Sequence, residues 1–257
     1  MRKRILAGLL CMFCLLSAVG CTQNTPAETT AAQTAAAETA AETVVETTAA
    51  ASVSTETATG DYLASISGTY VELFPELSKA EYREIWIHAV TPLVGEENAE
   101  SATDMLLGMC MAETYGAEAA EKYAASPESM AFDCYFLGGV AKFVMDGSTI
   151  TGLDAQGKEV FSHSYRAMDI ENENGFLFYQ SEDADSGEFT YFAFSPDSME
   201  TTYHLEFRYA EDLNDLQSWF EGNYAYWNAA GIAENYDLET MRNVIGLFAT
   251  ENLSSGE

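Results

Sequence analysis

The sequence predicts a mainly β domain with flanking helices: an antiparallel β-barrel with N-terminal and C-terminal helical segments. Three observations point there. Between residues 130 and 210, seven runs have the aromatic and β-branched texture of strands. Short Gly- and Asp-containing turns separate them, with no helical crossover, which implies antiparallel pairing and favours a meander that closes on itself. Segments of helical period lie on both sides of this block.

The first sixty residues have another character. Arg2, Lys3 and Arg4 precede an apolar run from Ile5 to Leu16 and then small residues, the layout of a secretory signal over 1–20. The run is too short and wrongly flanked for a membrane span. Ala18-Val19-Gly20-Cys21 resembles the bacterial lipobox, with Ala18 where leucine is usual. It implies that Cys21 is lipidated and holds an exported protein to the outer face of a bacterial cell membrane. Residues 21–60 are rich in Ala, Thr and Glu and almost free of large apolar side chains. Such a segment buries too little to offset its ordering entropy and reads as a disordered tether.

Residues 61–257 suffice for one domain with a substantial core. ISGTYVELFPEL (66–77) reads as an extended opening segment ended by Pro75, with Tyr70, Glu72 and Phe74 on one face. Ser78 and Glu81 have capping-box spacing. Tyr82, Ile85, Trp86 and Ala89 then follow a helical period that Thr91-Pro92 interrupts. Residues 99–126 suggest two helices broken near Gly116, with Met105, Leu106, Met109 and Met111 as core filling. The strand candidates are 130–136, 140–146, 148–154, 158–169, 175–182, 187–195 and 201–210. Helices are expected over 212–221 and 237–250.

This domain carries 36 acidic and eight basic residues, a net charge of −28. A polyanionic partner, whether nucleic acid or an anionic lipid surface, is excluded as the main one. Membrane contact would be through the lipid anchor only. Of five cysteines, Cys110 and Cys134 lie in the domain, and the sequence leaves their pairing open. No nucleotide-binding, nucleophile-elbow or H-E-x-x-H motif occurs, and nothing specifies a substrate. The acidic turn 182–187 lacks the ligand pattern of a calcium loop. The expectation is a binding protein, not an enzyme.

Three stretches carry a family resemblance: Gly68-Thr69-Tyr70-Val71-Glu72-Leu73-Phe74-Pro75, Phe194-Ser195, and HLEFRYAED (204–212) followed by LNDLQSWFEGNYAYW. The domain resembles the ZinT (YodA-like) family of zinc- and cadmium-binding proteins, which implies a lipocalin-like (calycin) barrel. It also implies a divalent metal ion as ligand, zinc foremost, and as partner a substrate-binding protein of a metal ABC importer. The family binds metal through three histidines, two in a His-x-His strand. Here His204 takes the first place, Glu206 the second, and Asp197 falls near the upstream one. One imidazole with carboxylates is a harder donor set than three imidazoles, shifted towards Mn²⁺ or Ca²⁺. His163 alternates with Phe161 and Tyr165 on one strand face and is a further candidate ligand at a barrel mouth. His88, beside Trp86, reads as a packed or surface residue. The competing expectation is a metal-free barrel whose aromatics, GFLFY and FTYFAF, hold an apolar ligand or meet a protein partner.

Overall fold

The computed structural model describes residues 62–109, 113–172, 175–196 and 199–254. Residues 1–61, where the signal, the tether and lipidated Cys21 are expected, lie outside the described residues, as do Cys110, Met111 and Asp197.

Eight strands form a closed antiparallel barrel: β1 (Gly68–Glu72), β2 (Lys142–Asp146), β3 (Thr149–Leu153), β4 (Glu159–Met168), β5 (Leu177–Ser181), β6 (Tyr191–Phe194), β7 (Leu205–Ala210) and β8 (Ala229–Ala233). Each strand pairs with the next, and β1 closes the ring by pairing with both β2 and β8. Strand alternation sends one set of side chains inward. Tyr70, Phe143, Phe161, Tyr165, Phe192 and Phe207 meet there in one buried cluster. Phe143 stands edge-on to Phe207 at 5.1 Å and to Phe192 at 6.0 Å. These rings pack on one another inside the barrel. Gly152 of β3 lets Phe161 lie flat on the wall, since a Cβ there would stand 2.4 Å from its ring.

A second buried cluster covers the outer face of β1 and β8. It is built by α1 (Leu73–Leu77), α2 (Arg83–Val94), α3 (Ala99–Met109) and α6 (Leu238–Leu253). Trp86 of α2 meets Phe248 of α6 edge-on at 5.9 Å, and its indole N–H donates to the Leu77 carbonyl. Fully burying such side chains stabilises by roughly 1.5–3 kcal/mol each, which holds the helical layer on the barrel. Two more α-helices among the described residues are α4 (Gly116–Ala125) and the single turn α5 (Asn214–Gln217).

Several sequence expectations are corrected. Strand β1 ends at Glu72, and Pro75 sits inside α1, so Phe74 leaves the face shared by Tyr70 and Glu72. Ser78 closes α1, its hydroxyl donating to the Phe74 carbonyl, instead of capping α2. Helix α2 runs through Pro92 to Val94 and stops at Gly95, whose φ of +84° ends the helical path. The run 130–136 is no barrel strand and makes one isolated bridge, Asp133 to Trp227. The eighth strand is AAGIA at 229–233, and the helix expected over 212–221 shrinks to Asn214–Gln217. Met105 is exposed, whereas Leu106 is buried and Met109 partly so.

Candidate metal site

Strand β7 points Leu205, Phe207 and Tyr209 into the barrel. Glu206, Arg208 and Ala210 therefore face outward. Arg208 is fully buried beneath the segment after β7. Its guanidinium donates to the carbonyls of Leu216 (3.1 Å), Ser218 (2.8 Å) and Tyr224 (2.7 Å) and lies 4.7 Å over the Trp219 ring. Burial pushes its pKa down to about 10, against a smaller opposing effect of Asp215. That clamp fixes the outer wall on which Glu206 sits.

Two residues before the strand, Tyr203 has φ +65°, a left-handed backbone rare for a large side chain. The kink breaks the alternation expected from the sequence. Tyr203 joins the outer cluster instead of packing behind the strand with Leu205 and Phe207. It also folds the imidazole of His204 back on its own chain, with Nδ1 2.6 Å from the Thr202 carbonyl oxygen. A carbonyl only accepts, so Nδ1 carries the proton and donates. Nε2 then stands 3.3 Å from Glu206 Oε1. The other carboxylate oxygen, Oε2, accepts from Asn228 Nδ2 at 3.2 Å. Burial raises the Glu206 pKa, but the hydrogen bond and charge of His204 and the Asn228 amide outweigh it. The net carboxyl lies below its ordinary value.

The arrangement fits a divalent ion in two respects. Metal-binding histidines commonly donate their second ring N–H to a carbonyl or carboxylate, which fixes the tautomer, and His204 does so through Thr202. A tetrahedral zinc with bonds of about 2.0–2.1 Å also places neighbouring ligand atoms about 3.3 Å apart. Without a cation, Nε2 must itself be protonated to face the carboxylate. Among the described residues no third histidine, cysteine, aspartate or glutamate completes the set. Asp197, the third candidate from sequence, lies outside them.

His163 is placed elsewhere. It lies on β4, three strands from β7, stacked on Phe161 at 5.4 Å, with Nδ1 2.8 Å from Asp183 Oδ2. His88 is exposed on α2. Sequence reading missed Asn228 and Asp133. Asp133 is buried, its carboxyl pushed up to about 6 by burial, with the Tyr135 N–H opposing and Glu113 reinforcing the rise. Its signal was available as a lone acid in the apolar run MAFDCYF. Asn228 offered none.

Fold and site together define a closed eight-stranded antiparallel barrel with a histidine–carboxylate pair on its outer face. No family model matches this chain, and no curated protein does. Among solved structures, it is similar to Zn(II)-bound AdcA from Streptococcus pneumoniae, at 14% identity over 72% of this chain with a TM-score of 0.40. It is also similar to the Zn(II)-bound ZinT-like domain of Streptococcus pneumoniae AdcA, at 13% identity over 73% of this chain and 89% of that one, with a TM-score of 0.42. The match spans 34% of the longer AdcA chain. The barrel assignment itself rests on the strand pairing.

Proposed function

We propose that this protein binds a divalent metal ion, zinc foremost, at His204 and Glu206, and that it serves metal capture instead of catalysis. The observation that carries the reading is the anchored imidazole. Nδ1 is committed to the Thr202 carbonyl, and Nε2 is aimed at a carboxylate at the ligand–ligand spacing of a zinc site. The resemblance of HLEFRYAED to a metal-binding strand supports the same place. The strongly acidic surface raises the local concentration of cations. In this reading lipidated Cys21 holds the domain at the cell surface, and the captured ion passes to the substrate-binding protein of a metal ABC importer.

Calorimetric titration of the exported chain with Zn²⁺, repeated on His204→Ala, tests the site. The reading expects saturable heat from the wild type and its loss in the variant. Equal heats from both proteins, or none from either, would sink it.

A further inference from the structure

Two described non-glycine residues, Tyr203 and Tyr226, have a positive φ, +65° and +60°. Left-handed backbone brings the Cβ of an L-residue too close to the following carbonyl oxygen, and a bulky side chain is an outlier there. Such a conformation persists only where the surroundings hold it. At Tyr203 two things do so. Its ring is partly buried in the outer cluster, among side chains of the helical layer. Two contacts also close the turn around it. Thr202 Oγ1 donates to the His204 carbonyl at 3.1 Å, and His204 Nδ1 donates to the Thr202 carbonyl at 2.6 Å.

Extended backbone does not make such contacts. A strand turns its carbonyls sideways, towards neighbouring strands, and its side chains out of the sheet. The imidazole two residues on would then stand clear of the Thr202 oxygen. We infer that Tyr203 is a positioning residue: its left-handed backbone sets the His204 imidazole in place before any ion arrives. The inference deepens the proposed function and rests on it only for the metal readout. With Nδ1 tied down, Nε2 has one direction left, towards Glu206 Oε1 at 3.3 Å. A ligand already oriented loses less freedom on binding, so the same donors hold an ion more tightly. The ring has a separate task. Its burial offsets the steric cost of the turn, a cost that glycine would not incur.

The test compares Tyr203→Gly and Tyr203→Asn with Tyr203→Val. All three lose the ring, but glycine and asparagine accept left-handed backbone and a β-branched residue does not. Two quantities are read: Zn²⁺ affinity, and protonation of His204 Nδ1 in the metal-free protein with the imidazole neutral, from a long-range ¹H–¹⁵N spectrum. The glycine and asparagine variants should keep Nδ1 protonated and bind within roughly fivefold of the wild type. The valine variant should bind roughly tenfold more weakly than the glycine one and lose the fixed proton at Nδ1. Equal affinities in the valine and glycine variants, or a valine variant whose Nδ1 stays protonated, would overturn the inference, because Tyr203 would then only pack. If the valine variant does not fold, the glycine and asparagine variants decide. Loss of the Nδ1 proton in both assigns the orientation to the ring and overturns the role of the turn. A wild type that binds no Zn²⁺ yet shows the valine-specific change at Nδ1 removes the metal site and leaves the positioning standing.

Discussion

Among the described residues the barrel carries two histidine–carboxylate pairs, and they differ in what holds each imidazole. In the β4 pair, His163 spends Nδ1 directly on Asp183, whose side chain is 55% exposed. In the β7 pair, His204 spends Nδ1 on a backbone carbonyl and points Nε2 at Glu206, itself tied to a buried amide. The first is a surface contact, free to open into solvent and worth little. The second is oriented from both sides, as a ligand pair requires. Proximity of a histidine to a carboxylate is therefore a poor guide to a binding site. The partner of the other ring nitrogen is a better one.

The largest effect expected is on metal affinity. His204→Ala should weaken Zn²⁺ binding by about 100-fold or more, beyond the roughly 10–100-fold that loss of a supporting contact costs. Competition against a chromogenic chelator measures it, and a smaller loss would place His204 outside the ligand shell.

Next comes the buried acid behind the β7 pair. The folded pKa of Asp133 is raised to about 6, so folding favours its protonated form. The ionisation penalty is absent below the unfolded value, grows as pH rises through about 6, and is fully present above it. Asp133→Asn should therefore stabilise the protein by about 3 kcal/mol at pH 7 and by nothing near pH 3. The asparagine keeps an oxygen to accept the Tyr135 N–H now bound by Asp133 Oδ1. Denaturant unfolding at both pH values checks the difference. A variant no more stable at pH 7 would contradict the burial account.

Glu206 shifts the other way. Its depressed pKa contributes stability that is present above the unfolded carboxyl value and is lost as pH falls through the folded one. Glu206→Gln should flatten that acid limb of the stability profile and also weaken metal binding. The smallest effect belongs to the surface pair. Asp183→Asn should change stability by less than about 1 kcal/mol and leave Zn²⁺ affinity as in the wild type. A loss of affinity there would erase the contrast between the two pairs.

The inward-facing strands were legible because large residues alternate along them, as in Phe161 and Tyr165 or Leu205, Phe207 and Tyr209. AAGIA was not legible as β8, since a strand packed closely on both faces needs small residues, which carry no strand signature. MAFDCYF misled in the opposite sense: its aromatics belong to two clusters, Phe132 outside and Phe136 inside, so the run crosses the wall instead of pairing along it. At the site, the i, i+2 spacing of His204 and Glu206 was readable. Tyr203's left-handed backbone and the anchoring of Nδ1 were not, because no rule predicts φ +65° at tyrosine. Asn228 was beyond reach, since its partner lies 22 residues away across β7 and β8.

With three histidines in the chain, a long-range ¹H–¹⁵N spectrum of the imidazoles during Zn²⁺ titration reports on each ring separately. The account predicts that His204 Nε2 shifts to saturation while its Nδ1 stays protonated on Thr202, with His163 and His88 unmoved. Movement of His163 in its place, or of no histidine in zinc-loaded protein, would contradict it.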